Sequence, residues 1–360
     1  MRVLALVTEA FGGFGGISVY NRDLLTALCA LPDCTEVVGL PRLKPGASEP
    51  LPQRLSYRID AGGTKARYVT ALLRLIATDR SFDLIVCGHI NLLPLAHAAK
   101  KGTGAPILLV IHGVDAWQPT ESRLVNLLAR RVEGILSVSD HTRQRFLRWV
   151  PSQTGQVHLL PNVAHLDRFG MEAKRQDLVD RYGLAGRPVL LTLGRLDSAE
   201  RYKGVDEVLE MLPDLLRDTP GLCYLVVGDG TDRPRLEHKA GALGLRQGVV
   251  FTGRIHEREK ADHYRLADAF VMPGRGEGFG IVFLEAMACG VPVVASTLDG
   301  SREAVREGQL GLLADPDDRA GLRNAVTVAL RRPKAIPPGL DYFSFERFTA
   351  RLGEILARYS

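Results

Sequence analysis

The chain has 360 residues, of which 46% are hydrophobic and 24% charged, a composition typical of a globular protein long enough for two domains. Its five cysteines are scattered and show neither CxxC nor Cys/His spacing, so disulfides and structural zinc are not expected. No apolar run approaches the ~20 residues of a membrane span, and the apolar start of the chain is too short for a signal peptide. We therefore expect a cytoplasmic protein.

The net charge of +5 is unevenly distributed along the chain. Residues 1–160 contain 18 Lys and Arg against 12 Asp and Glu, a balance of +6, whereas the remainder contains 28 against 29, a balance of −1. A basic N-terminal half suits an anionic membrane surface or a phosphate-bearing acceptor, and a solvated basic face without a partner is the alternative. Nucleic acid is not expected, because long basic tracts and aromatic-basic interleaving are both lacking.

The start of the chain predicts a strand, then a glycine-rich loop, then a helix. Residues 2–7 predict a strand, the glycines lie within 9–16, and residues 17–30 have helical periodicity. A dinucleotide-binding motif is disfavoured, because its third glycine would stand at Ser18 and the next strand ends without an acid for the ribose. The glycines are better explained by a loop that stays close to the sheet, so that a large ligand can lie above it, and a purely structural turn is the alternative.

The N-terminal half continues as alternating strands and helices. We predict a strand at 37–40, an irregular segment at 41–58, a helix at 65–79, a strand at 84–87, a helix at 92–101, a strand at 107–111, a helix at 124–132, a strand at 134–138, a helix at 139–150 and a strand at 157–160. The helix at 65–79 is basic and amphipathic, which favours packing on a sheet with a solvated outer face over a membrane surface.

His112 follows the predicted strand at 107–111. Parallel α/β sheets bind ligands at the carboxyl ends of their strands, so His112 is a candidate site residue. The alternative is the structural role that a lone histidine more often has.

A second series of strands and helices follows a predicted linker at 161–165. Its elements are a strand at 188–193, a helix at 205–216, a strand at 222–227, a helix at 233–243, a strand at 249–252, a helix at 257–267, a strand at 268–272, a helix from about 280 to 290, a strand at 291–296, a helix start at 301–307, a strand at 311–315 and helices at 320–331 and 345–359. Two such halves predict two Rossmann-like domains with a ligand cleft between them.

The stretch from Pro273 to Gly290 is the most informative part of the sequence. Four glycines separate its strand from its helix, namely Gly274, Gly276, Gly278 and Gly280. Such a loop presents backbone N–H groups and the positive end of a helix dipole to an anion. Glu277 in the loop and Glu285 in the helix bracket that site. A sugar phosphate or nucleotide fits, because amides hold phosphate while carboxylates accept from hydroxyls.

Two basic residues follow the first strand of the second series. Arg195 and Lys203 are separated by a loop that can place both on one anion, and a guanidinium fork with a lysine charge suits a diphosphate. With the amides of 280–282 they can neutralise a leaving diphosphate without metal. The acid pair Asp317-Asp318 precedes a helix and is predicted to cap it. Either base alone would be an ordinary surface charge, but the pair with the glycine loop favours a diphosphate site.

The spacing of Glu277 and Glu285 resembles the E-x7-E motif of retaining GT-B glycosyltransferases, most closely glycosyltransferase family 4. The Gly-Arg-Leu…Lys-Gly block at 194–204, the Gly-Asp-Gly at 228–230 and the N-terminal glycine loop are similar too, so the resemblance covers nearly the whole chain. The linker departs from the family pattern, because Pro-Asn-Val-Ala-His stands where Asn-Gly-Val-Asp is common.

The resemblance implies a GT-B fold of two Rossmann-like domains facing across a cleft. The implied domains are an acceptor-binding one at 1–162, to which the final helix at 343–360 crosses back, and a donor-binding one at 163–342. Retaining transfer then proceeds without an enzymic nucleophile.

Individual residues acquire roles from the same resemblance. Glu277 and His112 are the implied catalytic residues, at the transferred sugar and beside the reacting carbon. Arg195 and Lys203 are implied to bind the donor diphosphate, and Glu285 the ribose hydroxyls. The other implied substrate-binding residues are Gly15, Gly16, Gly228, Arg254, Ile255, Gly278, Phe279, Gly280, Ile281 and Val282, with Arg254 and Ile255 at the base.

We therefore expect a retaining transferase that moves a hexosyl group, mannosyl or glucosyl, from a nucleoside diphosphate sugar to a glycan or lipid-linked acceptor in cell-surface polysaccharide or glycolipid synthesis. Neither a cofactor nor a metal is expected. The alternatives are a nucleotide-sugar 2-epimerase on the same fold and a non-catalytic nucleotide-sugar-binding protein. Peripheral contact with an anionic membrane, on its inner face, is expected from the basic N-terminal half.

Overall fold

The structure is a computed structural model that describes residues 1–44, 46, 49–150 and 155–359. The chain divides into two compact units. The N-terminal unit consists of Met1–Val163 and the segment that begins at Phe345, and the C-terminal unit is Ala164–Ser344.

The N-terminal unit is built on a parallel sheet. Its strands are β1 (Arg2–Val7), β2 (Glu36–Pro41), β3 (Leu55–Tyr57), β4 (Leu84–Cys87), β5 (Ile107–Ile111), β6 (Gly134–Ser137) and β7 (Gln156–Leu159). Their order across the sheet is β3-β2-β1-β4-β5-β6-β7. The central strands β4 and β5 are apolar along their length, and β1 is apolar from Val3 onward, because helices cover both faces of a parallel sheet.

Helices join these strands. They are α1 (Gly16–Ala30), α2 (Lys65–Thr78), α3 (Leu93–Thr103), α4 (Arg123–Ala129) and α5 (Asp140–Leu147). Helix α3 packs between α2 and α4, and all three bury apolar side chains, among them Leu72, Leu93 and Val125, in the core that covers one face of the sheet. The Ser139 hydroxyl accepts from the backbone N–H of Thr142, so the predicted cap of α5 is confirmed.

One part of the predicted pattern is wrong in this unit. The segment at 41–58, predicted to be irregular, contains the edge strand β3, of which the middle residue pairs with Val38. Three residues are too few to show an alternating pattern. Positions 45, 47 and 48 of that segment lie outside the described residues.

The C-terminal unit has a second parallel sheet. Its strands are β8 (Val189–Leu193), β9 (Cys223–Val227), β10 (Val249–Gly253), β11 (Ala269–Val271), β12 (Val293–Ser296) and β13 (Leu312–Ala314). Its helices are α6 (Leu166–Phe169), α7 (Gln176–Arg181), α8 (Val205–Asp218), α9 (Arg233–Ala242), α10 (Lys260–Leu266), α11 (Ile281–Ala288), α12 (Ser301–Ala304) and α13 (Arg319–Arg331). The Asp318 carboxylate accepts from the N–H of Gly321, so its predicted cap of α13 is confirmed.

The order of this second sheet is β10-β9-β8-β11-β12-β13. The chain therefore reverses its direction of travel between β8 and β11, which is where open α/β sheets form ligand crevices at the carboxyl ends of their strands. The segment after β8 carries Arg195, and the segment after β11 is the glycine loop. Strand order thus brings the two predicted anion-binding segments together.

Helix α14 (Phe345–Leu356) returns to the N-terminal unit, as the resemblance implies. It packs on α1, where the ring of Phe348 meets the buried Tyr20 edge to face at 5.8 Å between centroids. The Tyr20 hydroxyl donates to the carbonyl of Leu160 at 3.0 Å. The end of the chain therefore contributes to the core of the unit in which the chain begins.

Two further expectations concern chemistry outside the sheets. The five cysteines are buried and unpaired, so the expected absence of disulfides holds for these residues. None of the helices in the described part of the chain combines the length and the apolarity needed to cross a bilayer.

Gly228, at the end of β9, offers a test of this packing. Its φ is +141°, and a Cβ at this position would lie 1.8 Å from the carbonyl oxygen of Gly194. We expect Gly228→Ala to lower the free energy of unfolding by more than the ~1–3 kcal/mol that a strained backbone conformation costs alone. Urea unfolding followed by circular dichroism measures this.

Gly183→Ala is the matched control in the same unit. Its φ is +62°, but a Cβ there would meet nothing within 4 Å, so only the backbone strain is added. Equal losses in the two variants would show that the contact with Gly194 is unimportant.

Candidate active site

A buried carboxylate holds the glycine loop between β11 and α11. Asp299 is fully buried and accepts from the backbone N–H of Glu277 at 3.0 Å. It also accepts from the backbone N–H and the hydroxyl of Ser301, at 3.0 and 2.6 Å. Burial raises the pKa of Asp299, and these hydrogen bonds offset part of that rise. The position of Glu277 is therefore fixed through its own backbone.

The loop also packs tightly against the turn at Ser198–Lys203. A Cβ on Gly276 would lie 2.3 Å from the ring of Tyr202, so only glycine fits there. The backbone N–H of Arg275 donates to the carbonyl of Tyr202 at 2.8 Å. The glycine loop and the turn that carries Lys203 are consequently joined by both packing and hydrogen bonding.

Arg195 and Lys203 do converge, and a carboxylate lies between them. The Lys203 ammonium is 2.6 Å from Oε2 of Glu200, while the Arg195 guanidinium pairs with the other oxygen of the same group. The Lys203 side chain is only 15% exposed, whereas that of Arg195 is 79% exposed. The two cations can thus face a common anion, with Arg195 the more exposed of the pair.

Glu277 lies in a mixed electrostatic environment. Burial raises its pKa to about 7, with Lys203 lowering it and the carboxylates of Asp299 and Glu200 raising it. A carboxyl of this kind exists in both protonation states near neutral pH. It can accept a hydrogen bond from a sugar hydroxyl when ionised and donate one when protonated.

Glu285 is almost entirely buried in α11, where two protein groups already bind it. Lys260 donates to its Oε1 at 2.6 Å and the Tyr264 hydroxyl to its Oε2 at 2.7 Å. Burial and the neighbouring Glu285 raise the pKa of Tyr264 well above its usual range. Each carboxylate oxygen keeps a second lone pair, so contact with a ribose hydroxyl is compatible with this network and stays a prediction.

The remaining predicted donor residues lie at neighbouring strand ends. The N–H of Gly228 donates to the carbonyl of Gly253 at 3.1 Å, so this glycine has a structural role and its amide is not available to a phosphate. Arg254 and Ile255 directly follow β10. Since β8, β9 and β10 are parallel neighbours, these residues share one edge of the sheet with Arg195.

The amides predicted to meet the sugar and phosphates lie at the start of α11. The helix begins at Ile281, so the N–H groups of Ile281 and Val282 fall in its first turn, where an α-helix supplies no internal partner. Gly280 precedes it with a φ of +85°, and the Phe279 side chain is buried against Phe343. Gly278 stands beside Glu277 in the loop.

In the N-terminal unit, Gly15 and Gly16 lie at the start of α1. Ser18, which occupies the third-glycine position of a dinucleotide motif, is fully buried and its hydroxyl donates to the carbonyl of Ala10 at 2.8 Å. The hydroxyl of Ser18 therefore joins the start of α1 to the glycine loop through a hydrogen bond. This contact explains why a serine stands there.

His112 lies at the carboxyl end of β5 and is neutral at physiological pH. Its Nε2 is 2.9 Å from the carbonyl oxygen of Gly88, and burial lowers its pKa to about 4. A carbonyl oxygen only accepts, so Nε2 must carry the ring proton and Nδ1 must present a lone pair. His112 can therefore accept a hydrogen bond from a hydroxyl but cannot supply a positive charge.

Four residues that contact the predicted donor residues were missed at the level of sequence: Glu200, Asp299, Lys260 and Tyr264. Glu200 stands three residues before Lys203, a spacing that brings side chains together in a helical turn. Asp299 lies three residues after the strand end at Ser296, and a position close to a strand end is a signal for a site residue in an α/β sheet. Lys260 and Tyr264 have no comparable signal.

Within the residues that the structure describes, no three His, Cys, Asp or Glu side chains are grouped so that they could hold a metal ion. The expected independence of metal stays a prediction.

Two family models together cover most of the chain. One described as "Glycosyltransferase Family 4" matches residues 14–168, and one described as "Glycosyl transferases group 1" matches residues 187–332. A GDP-mannose-dependent alpha-(1-6)-phosphatidylinositol monomannoside mannosyltransferase of Mycolicibacterium smegmatis is 33% identical over 73% of both chains. A phosphatidyl-myo-inositol mannosyltransferase of Mycobacterium leprae is 29% identical over all of this chain and 93% of its own.

Solved structures share the fold at low sequence identity. The Anabaena protein HepE in complex with UDP-glucose superposes with a TM-score of 0.76 at 20% identity, covering 99% of this chain and 100% of that one. Sucrose-phosphate synthase from Thermosynechococcus elongatus gives a TM-score of 0.75 at 22% identity, covering 99% and 98%.

The fold is GT-B, and the protein is an enzyme of the glycosyltransferase class. The chain belongs to glycosyltransferase family 4. The relatives named above are transferases, which disfavours the epimerase and the non-catalytic alternatives.

Lys203 provides a direct test of the donor site. We expect Lys203→Ala to weaken binding of a nucleoside diphosphate by more than the ~1 kcal/mol of an exposed ion pair, because this ammonium is largely shielded from solvent. Isothermal titration calorimetry with GDP and UDP measures the change.

Lys239→Ala removes the same charge from helix α9, where the lysine pairs with Asp206 and Glu210 at 2.6 Å. Nucleotide affinity should be unaffected in this control. An equal loss of nucleotide affinity in both variants would show that the effect of Lys203 comes only from the overall charge of the protein.

Proposed function

We propose that this enzyme transfers a mannosyl group from GDP-mannose to a hydroxyl of an inositol- or mannose-bearing phospholipid, with retention at the anomeric carbon. The observation that carries the transfer chemistry is the pairing of Arg195 and Lys203 around Glu200, joined to the loop of Glu277. The choice of mannose and of a lipid acceptor is supported by the similarity to mannosyltransferases named for phosphatidylinositol lipids.

In the proposed reaction the acceptor oxygen forms a bond to C1 of the sugar while the bond from C1 to the diphosphate oxygen breaks. The hydroxyl proton passes to the departing diphosphate. The sugar is transferred directly to the acceptor, so no bond between the sugar and the enzyme is formed. Lys203, Arg195 and the first amides of α11 stabilise the negative charge that develops on the departing group. Expulsion of the diphosphate then needs neither a metal nor a protein nucleophile.

Glu277 is proposed to bind a hydroxyl of the transferred sugar in its ionised form. Carboxylates are strong acceptors for sugar hydroxyls, and the loop held by Asp299 positions this one. Because its pKa is raised to about 7, the ionised fraction grows as pH rises through neutrality. We expect kcat/KM for the donor to rise with pH over the same interval, since that ratio reports the free enzyme.

A transfer assay tests this function. The purified enzyme is incubated with GDP-mannose, UDP-glucose or ADP-glucose and with phosphatidylinositol or its monomannoside in detergent. We expect mannosyl lipid from GDP-mannose, with an α-linkage by NMR that matches the configuration of the donor. A β-linked product, or the lack of product from every donor, would contradict the proposal.

Glu277→Gln is the matching variant, because it keeps the shape of the side chain and removes the charge. Losing one hydrogen bond to a charged group costs about 1.5–3 kcal/mol, which corresponds to a ten- to hundredfold fall in kcat/KM. The rise in activity near pH 7 should disappear with it. If the pH profile of this variant is unchanged, the rise of kcat/KM near pH 7 comes from another group.

We also propose that one face of the N-terminal unit contacts an anionic membrane. Helices α2, α3 and α4 lie side by side and contain six Lys and Arg but no Asp or Glu, the six being Lys65, Arg67, Arg74, Lys100, Lys101 and Arg123. Leu73, Leu124 and Leu127 are exposed on the same helices. A basic layer with exposed leucines suits the headgroup region of an anionic leaflet.

Vesicle flotation tests this contact. We expect the protein to float with phosphatidylcholine vesicles that contain phosphatidylserine but not with phosphatidylcholine alone. The double variant Lys65→Gln, Arg74→Gln should weaken binding about tenfold or more, because each basic residue contributes about 1 kcal/mol near such a surface. The control Arg331→Gln, Arg332→Gln removes equal charge from the C-terminal unit. Equal weakening of vesicle binding in both variants, or no flotation of the wild type, would contradict the proposed membrane contact.

A further inference from the structure

A polar cluster outside the donor site lies at the carboxyl ends of β4 and β5. These strands are adjacent and in register, with Cys87 opposite Leu109. His89 follows β4, and His112 and Asp115 follow β5, so the three side chains leave the same edge of the sheet. In sequence they belong to Gly88-His89 and to His112-Gly113-Val114-Asp115. Of the three, only His112 has been given a role above.

The hydrogen bond of His89 fixes where its proton lies. Its Nδ1 accepts from the backbone N–H of Asn91 at 3.2 Å, so the neutral ring carries its proton on Nε2. Burial lowers the pKa of His89, while Asp115 raises it and His112 lowers it. The three groups therefore act on one another within a single environment, in which His89 offers a donor.

Asp115 contributes an acceptor that the protein leaves unused. Its Oδ2 is buried, and no described residue donates a hydrogen bond to it. Burial raises the pKa of Asp115 to about 6, and backbone N–H groups of its own turn offset part of the rise. A buried carboxylate oxygen without a partner costs free energy, so it is normally satisfied in the working state of a protein.

The cluster thus presents one donor and two acceptors at close quarters. The donor is Nε2–H of His89, and the acceptors are Nδ1 of His112 and Oδ2 of Asp115. Adjacent hydroxyls of a ring polyol each donate and accept, which matches this set. A phosphate does not match it, because the Asp115 carboxylate would repel an anion and both histidines are neutral at physiological pH.

We propose that His89, His112 and Asp115 form the binding site for vicinal hydroxyls of the acceptor's ring polyol. This inference rests on the proposed function, which requires a polyol acceptor. It assigns the hydroxyl-bearing ring to the end of β4 and β5 and leaves the acceptor's phosphate to cationic side chains elsewhere. Asp115 then accepts from one hydroxyl, while a neighbouring hydroxyl accepts from His89 and donates to His112.

Asp115→Asn is the main test, because it preserves shape and removes the charged acceptor. We expect KM for phosphatidylinositol monomannoside to rise about ten- to a hundredfold, the range for one hydrogen bond to a charged group. KM for GDP-mannose and its hydrolysis without acceptor should stay unchanged. The melting temperature should not fall, since the substitution removes a buried charge that the fold disfavours.

Two more variants complete the test. His89→Asn removes the proposed donor and should raise the acceptor KM while sparing donor hydrolysis. Asp33→Asn changes an exposed carboxylate in the turn between α1 and β2 and should leave every parameter unchanged. A merely structural cluster would lower the melting temperature in Asp115→Asn and His89→Asn and leave the acceptor KM as it is, which would overturn the proposal.

Failure of this site and failure of the proposed function give different results. If the wild type transfers no mannose, the proposed function fails, and the site is then judged by saturation-transfer difference NMR of the whole protein. The probes are myo-inositol and methyl α-D-mannopyranoside. Signal with either probe that Asp115→Asn abolishes supports the site. No signal with either, or signal that Asp115→Asn leaves intact, would overturn it.

Discussion

The buried carboxylate of Asp299 is the group on which the candidate donor site depends. The loop before α11 has no regular backbone pairing of its own, so its shape must come from outside. Asp299 supplies it by binding the N–H of Glu277 and the start of α12. The cost of burying this carboxylate is offset by the hydrogen bonds that it accepts. The same contact therefore stabilises the loop and determines where the backbone of Glu277 lies.

The N-terminal unit separates charge from hydroxyl chemistry. Its helices α2, α3 and α4 are basic and contain no acid, while the end of β4 and β5 collects neutral histidines and a carboxyl. A phospholipid with a sugar headgroup has the same division, with charge at its phosphate and hydroxyls at its ring. The two surfaces of this unit correspond to the two parts of such a molecule, which is the acceptor class that we propose.

Much of the fold could be predicted from apolar periodicity. Strands β4 and β5 have the predicted limits, and α11 begins within a residue of its expected start. The convergence of Arg195 and Lys203 could also be predicted, because both follow one strand of a parallel sheet. Their shared partner Glu200 was missed, although its position three residues before Lys203 is a spacing that brings side chains together in a helical turn.

Contacts between residues that are far apart in the chain could not be predicted from the sequence. The pairing of Lys260 with Glu285 depends on how α10 and α11 rotate about their axes, which packing decides. Gly228 was predicted to contact substrate, yet its contact with Gly194 shows a packing requirement. A glycine kept for a ligand and one kept for a neighbouring backbone look alike in a single sequence.

In the reaction that we propose, the carboxylate of Glu200 has a kinetic consequence. It acts as an internal counter-ion for Arg195 and Lys203, so a diphosphate that binds there replaces one anion by another rather than filling a bare positive site. Part of the attraction for the nucleotide is thereby cancelled by the pairs that it displaces. The same exchange runs in reverse when the product departs, because Glu200 recaptures both cations. A built-in competitor of this kind sacrifices affinity and speeds the release of the nucleoside diphosphate after each turnover.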